Sequence, residues 1–222
     1  MPPTTNPAPA PAVNPAMDPA VSVVRSCDGT AIAVRRRGEG PVVVLVGGAP
    51  GVGERLAVLM AAGFTVFRYD RRGSGDSGDT APYAVAREVE DLEAVVAAAG
   101  GPVCLAGLGS GAVLALEAAR HLPAITRLAI CGPGLRTAAD APDLPLASLV
   151  TGDRADGPVR LNSGFAVARW SCVAVPALVL DGEDLAGVLP DAHHRPVPAL
   201  APETLAPVLT EFFAPKARRT RP

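Results

Sequence analysis

A set of short apolar runs constrains this chain most. They are too rich in β-branched residues to favour helix and too continuous to leave one face wet. "PVVVLVGG" (41–48), "FTVFRYD" (64–70), "PVCLAG" (102–107), "TRLAICGP" (126–133) and "VPALVLDG" (175–182) each read as a strand. Near-continuous apolar strands belong in a mostly parallel sheet covered on both faces. Runs of helix formers lie between them: one around Glu54–Ala62, "YAVAREVEDLEAVVAAAG" (83–100), "SGAVLALEAARHL" (110–122) and "APETLAPVLTEFFA" (201–214). Gly100 and Gly101 close the longest of these. Ahead of the first buried strand, "AVSVVRS" and "AIAVRRR" flank "CDGT" and read as a hairpin turning at Asp28-Gly29. "HHRPV" (193–197) reads as a weak last strand. Alternating strands and helices with right-handed crossovers make an α/β fold with helices on both faces. Ligands of such sheets bind beyond the carboxyl ends of the strands.

With 222 residues, 49% of them hydrophobic, the chain can bury one large core, expected over residues 21–214. A formal net charge of −2 gives no electrostatic reason to expect nucleic acid or an anionic membrane. No uninterrupted apolar stretch approaches the roughly 20 residues of a membrane span. The first twenty residues, "MPPTTNPAPAPAVNPAMDPA", lack the basic start and apolar core of a signal peptide. Their Pro/Ala repetition predicts a disordered or polyproline-like leader, and residues 215–222 read as a solvated tail. The four cysteines, Cys27, Cys104, Cys131 and Cys172, show neither zinc-ligand spacing nor a disulfide framework. Cys104 and Cys131 sit in apolar runs and read as core. These features point to the cytoplasm, with no metal and no cofactor expected.

Three stretches carry more specific information: "VVVLVGGAP" after the first buried strand, "VFRYDRRGSGDSG" after the second, and "CLAGLGSGAVLALEAA" at a strand-to-helix corner. Together, and in this order, they resemble the α/β-hydrolase superfamily, in its branch of small esterase-, lipase- and epoxide-hydrolase-like proteins. The resemblance extends through "VPALVLDGED" and the last helix, over roughly residues 21–214. It implies an α/β-hydrolase fold with an oxyanion loop, a nucleophile elbow of G-x-S-x-G form, and a cap between the strands near Cys131 and Val175. That cap region, 135–172, is short here and broken by proline and glycine.

The elbow departs from the family pattern. In the register Gly107, Leu108, Gly109, Ser110, Gly111, small residues flank the tip at −2 and +2. The nucleophile's place then holds Gly109, which has no side chain to attack with. Ser110 follows the tip, where the family uses the backbone N–H in the oxyanion hole. The competing reading makes Ser110 a displaced nucleophile, with Leu108 in the crowded −2 place. The resemblance puts the general base between the last strand and last helix, but "PAL" (Pro198–Leu200) holds no histidine. His193 and His194 are expected to enter the last strand from its other end, and His121 ends the elbow helix. The family's acid would follow "PALVL", where Asp181, Glu183 and Asp184 stand as turn, capping or triad carboxylates.

Gly48, Ala49 and the Ser110 amide remain as an oxyanion-type site, with Arg71 and Trp170 as candidate substrate contacts. Bracing the loop (for Arg71) and anchoring the chain (for Trp170) are the alternative readings. Gly73–Gly78 imitates G-x-G-x-x-G without an immediate helix, and Gly48–Arg55 imitates a P-loop with Glu54-Arg55 in place of Lys-Ser/Thr; neither supports nucleotide binding. The expectation is a protein without the usual Ser–His pair. It would act on a small carbonyl-containing molecule as a cyclase-, lyase- or isomerase-type enzyme. A silent ligand-binding or scaffold homologue and an esterase using Ser110 are the alternatives, and self-association into a homo-oligomer is left open.

Overall fold

The computed structural model describes residues 20–49, 51–132, 136–138, 160–162 and 168–215. Eight strands form one sheet, in the order β1-β2-β4-β3-β5-β6-β9-β10. They are β1 Val21–Arg25, β2 Ala31–Arg37, β3 Val42–Gly47, β4 Thr65–Tyr69, β5 Val103–Leu108, β6 Ile125–Cys131, β9 Ala177–Leu180 and β10 Ala192–His194. The hairpin β1–β2 and the β2–β4 pair are antiparallel, and the rest is parallel. The short strands β7 Arg136–Ala138 and β8 Arg160–Asn162 pair in parallel in a second small sheet, which the sequence reading left as irregular chain.

Helices cover both faces: α1 Val52–Met60, α2 Val85–Ala98, α3 Ser110–Ala119, the single turn α4 Glu183–Ala186 and α5 Pro202–Phe213. Alternation along each strand divides the core in two. Val44, Val46, Leu105, Leu128 and Ile130 face α2 and α3, together with Leu92, Val95 and Leu116. Val43, Leu45, Ala106, Ala129 and Cys131 face α1 and α5, together with Leu56, Met60, Leu209 and Phe213. Each Val, Leu, Ile, Met or Phe among them contributes on the order of 1.5–3 kcal/mol of hydrophobic stabilisation when fully buried. No helix among the described residues is long and apolar enough to cross a membrane. Among the same residues, no group of three or more His, Cys, Asp or Glu could hold a metal ion.

The last strand differs from its reading over 193–197. It ends at His194, because Pro196 has no N–H to continue the ladder after Arg195 donates to Val179. The two histidines therefore close the strand rather than open it. Leader residues 1–19, most of cap region 135–172 and tail residues 216–222 lie outside the described residues.

Candidate active site

The site is built where β3, β4 and β5 end. At the corner after β5, Gly109 has φ 58 and ψ −126, a conformation that glycine adopts freely and other residues rarely do. The chain turns sharply there, and Ser110 is already the first residue of α3. The flanking glycines are fixed by close approach. A Cβ on Gly107 would lie 2.5 Å from Ala112 Cα, and one on Gly111 would overlap the Val46 carbonyl. Gly109 N–H donates to the Cys131 carbonyl at 3.0 Å, tying the corner to the end of β6.

Next to this corner, a cleft of about 450 Å³ is lined by residues that include Gly48, Ala49, Glu54, Arg68, Asp70 and Arg71. Gly48 and Ala49 directly follow β3, and Gly51 caps α1 with no side-chain bond to its first turn. Among the described residues, no backbone carbonyl receives the N–H of Gly48, Ala49 or Ser110. Backbone donors at the starts of two helices therefore converge on this end of the sheet.

Arg71 enters from the loop after β4. Its Nε and Nη2 donate to the two oxygens of buried Glu88 at 2.6 and 2.5 Å, and its Nη1 donates to Ser110 Oγ at 3.3 Å. Tyr83 Oη donates to the same Glu88 at 2.9 Å. Burial works against the guanidinium charge, but the Glu88 hydrogen bond and charge outweigh it and raise the Arg71 pKa above the usual arginine range. Tyr69, also on the cleft, is buried, its hydroxyl has no hydrogen-bond partner among the described residues, and burial pushes its phenol well above the ordinary tyrosine range.

Glu54, Arg68 and Asp70 of the cleft wall belong to a row of ion pairs that runs on behind it. Glu54 receives Arg37 at 3.2 Å and Arg68 at 2.7 Å, and Asp70 receives Arg35 at 2.9 Å. Arg35 also pairs with Asp76. The loop "RRGSGDSGD" folds back on itself: Asp76 N–H donates to Asp70 at 3.0 Å, and Ser77 Oγ bridges the Asp70 carbonyl and the Ala33 N–H. Arg72 is 2% exposed and holds both Asp91 oxygens at 2.7 Å. This is an internal brace. No helix opens after the loop until Val85, so the glycines here do not form a nucleotide cradle. Glu54 and Arg55 of the imitation P-loop are likewise occupied, Arg55 by Glu203 at 2.8 Å.

Other expected residues are placed as follows. Trp170 does not line the cleft. It is 0% exposed, its Nε1 donates to Glu117 of α3 at 2.6 Å, and Arg169 joins the same carboxylate at 3.0 Å. It anchors the chain where the cap segment returns to the core. Asp181 follows β9 directly, exposed, with φ 59, the only positive φ of a non-glycine among the described residues. Asp184 and Glu183 lie in α4, and their side chains are outside the described residues.

His121 is exposed beyond the end of α3. His193 and His194 pair with Leu178 and Val179, below the Leu180 rim, on a strand three places from β5. Three strand spacings amount to about 14 Å. Both histidines are exposed and line a separate groove with Arg127, Glu211 and Phe212.

Two placements were not read in advance. Glu117, buried at the centre of the Trp170 anchor, was visible only as a lone acid in the apolar run "AVLALEAA". Leu200 packs on the end of β6: a Cβ on Gly132, just past that strand, would collide with Leu200 Cδ1.

A family model described as the alpha/beta hydrolase family matches residues 42–221. Among solved structures, an alpha/beta hydrolase from Sphaerobacter thermophilus is 34% identical with TM-score 0.72, and the match covers 87% of this chain and all of that one. A hydrolase from Pseudomonas aeruginosa is 22% identical with TM-score 0.65, over 88% and 98% of the two chains. An esterase from Exiguobacterium antarcticum is 16% identical with TM-score 0.66, over 86% and 98%. The latter two are likenesses of fold.

Proposed function

This chain belongs to the alpha/beta hydrolase family, and on that premise we propose that it is a family member that does not hydrolyse. It binds a small carbonyl-containing molecule and polarises the carbonyl, in chemistry of the cyclase, lyase or isomerase type. One observation carries the reading. Gly109 has the sharp strand-to-helix backbone of the elbow, while the adjacent Ser110 Oγ meets the guanidinium of Arg71. An arginine donates and cannot take the serine proton. A serine nucleophile needs a base at about 2.6–3.2 Å, and His193 and His194 stand on β10, three strands along the sheet from the elbow strand β5.

In this reading the N–H groups of Ser110, Gly48 and Ala49 point at the ligand's carbonyl oxygen and hold the negative charge that develops there. In enzymes that use such donors, removing one costs about 10²–10³ in rate. We assign proton movement to the carboxylates leaving β9, Asp181 and Asp184. Cleft residues on α1 and β4 fix the ligand's orientation.

The second reading, a protein that binds without turnover, is favoured by a different observation. Glu54, Arg68, Asp70 and Arg71 of the cleft are all engaged in ion pairs. None is poised as an unpaired acid or base.

The test is a fluorophosphonate probe with p-nitrophenyl esters of short acids, run on the native protein and on Ser110→Ala. The expected result is no labelling and no ester turnover. Labelling lost in Ser110→Ala would restore the esterase reading and defeat this one. With neither signal, a co-purifying or soaked carbonyl compound recovered chemically altered marks an enzyme. Recovery unaltered marks the binder.

A further inference from the structure

We propose that the outer edge of β1 is a pairing surface for a second copy of this chain, the two β1 strands lying antiparallel about a twofold axis at Val23.

The eight-stranded sheet ends differently at its two edges. β10 is three residues long, carries His193, His194 and then Arg195, and stops before Pro196. Short length, charge and proline are the usual guards against edge-to-edge pairing. Residues 21–24 of β1 have neither charge nor proline, and Val21 and Val23 are 48% and 57% exposed. Val24 packs against the core beneath α2. Val21, Val23 and Arg25 therefore share the opposite face of the sheet.

The backbone of this edge is open as well. Ala33 of β2 donates its N–H to Ser77 Oγ at 2.9 Å, and its carbonyl receives the Asp70 N–H at 3.0 Å. Both partners lie on the β4 side, so the Val23–Ala33 pair exchanges no hydrogen bonds with itself. Val23 then points its own N–H and carbonyl outward, and alternation does the same for Val21 and Arg25. Among the described residues, no strand or loop bonds them there.

A twofold contact needs a patch that fits itself. With Val23 on the axis it meets the partner's Val23, while Val21 meets the partner's Arg25. This register joins the edges through about six main-chain hydrogen bonds. No like charges face each other directly. Val21 is paired with Arg35 inside the sheet, so the partner's Arg25 stands about 10 Å from Arg35 on the same face. Asp76, bound to Arg35 and 62% exposed, offers that guanidinium a carboxylate within reach. The chain's own leader suits the edge less well, because residues 1–19 contain no run longer than three residues without proline. A contact of one short strand falls far below the roughly 800 Å² per partner of a stable interface, so a dissociation constant of about 10–500 µM is expected.

Sedimentation equilibrium on the full chain tests the proposal. Between about 5 and 500 µM the mean mass should rise from 22.5 kDa toward twice that value. Amide exchange at Val21, Val23 and Arg25 should slow over the same range, and that at Ser22 and Val24, which face β2, should not change. Val23→Lys places two like charges at the axis and should weaken association about fivefold or more, as should Val23→Glu. An equimolar mixture of the two variants should associate about fivefold more tightly than either alone.

A native protein that stays monomeric to about 500 µM overturns the proposal. Slow exchange at Val21, Val23 and Arg25 in such a monomer would give the edge to the leader instead. Undiminished association of Val23→Lys overturns it too, since the contact then lies elsewhere, and so does a mixture no tighter than its components. Val23 is exposed, so the variants should melt with the native protein; if they do not, the native concentration series with its exchange pattern decides.

Discussion

Replacing Gly109 by alanine tests the elbow without any ligand. The native residue has φ 58 and ψ −126. A side chain held in such a sparsely populated backbone region costs about 1–3 kcal/mol. Alanine recovers part of this, about 0.4–1 kcal/mol, by restricting the unfolded chain. A net loss of about 1–2 kcal/mol is expected, or about 2–8 °C in Tm for a domain of this size. Urea unfolding can be followed by the fluorescence of Trp170, the only tryptophan and fully buried, whose emission moves to the red when the core opens. Two neighbouring glycines bracket the result. Gly101→Ala adds a methyl where nothing lies within 4 Å and should change stability by less than about 0.5 kcal/mol. Gly111→Ala drives a Cβ into the Val46 carbonyl and should lose more than Gly109→Ala. A Gly109→Ala protein as stable as Gly101→Ala would refute the elbow geometry and every functional argument built on it.

Removing Arg72 leaves the Asp91 carboxylate, 1% exposed, without its bidentate partner; Arg72→Ala should cost about 3–5 kcal/mol. Arg72→Met with Asp91→Leu should lose much less, as read by the same urea titration. The Cys131 thiol is pushed up to about 12 by burial. The folded state holds that proton more tightly than the unfolded chain, whose cysteine titrates near 8.5. Its stabilising contribution is thus complete below about pH 8.5 and is lost as pH rises toward 12. At pH 8, a thiol reagent should modify the exposed Cys27 and Cys172 and spare Cys131 until the protein unfolds.

The strands were legible because burial on both faces demands unbroken runs such as "VVVLV", and their β-branched residues and flanking Pro and Gly favour strand over buried helix. The elbow register was legible because Gly107 and Gly111 leave no room for a side chain, so their spacing fixes the corner whatever sits at its tip. The brace that Arg72 makes with Asp91 and Asp28 was not legible, since these partners come from a helix and a turn distant in sequence. Trp170 was left between pocket and anchor, and only the position of Glu117 across from it decides. Leu200 was seen as part of a short loop without a histidine. Its seat on Gly132 depends on the path of the chain between β10 and α5, which no local pattern encodes. β10 ends at His194 rather than running over 193–197, because Pro196, which has no N–H to donate, sets the end of the ladder.

Arg37, Glu54, Arg68, Asp70, Arg35 and Asp76 form a chain of ion pairs of alternating sign, and Glu54, Arg68 and Asp70 of it make one wall of the cleft. The potentials of such alternating neighbours cancel at short range, well inside the screening length of about 8 Å at physiological ionic strength. An approaching molecule meets no far-reaching attraction or repulsion from this wall. Its arrival is left to unassisted diffusion, and sorting between candidate ligands is postponed until they touch the amides at the end of the sheet. Added salt should then leave the encounter rate nearly untouched, and the wall acts as an electrically silent frame around a small, sharply polar opening.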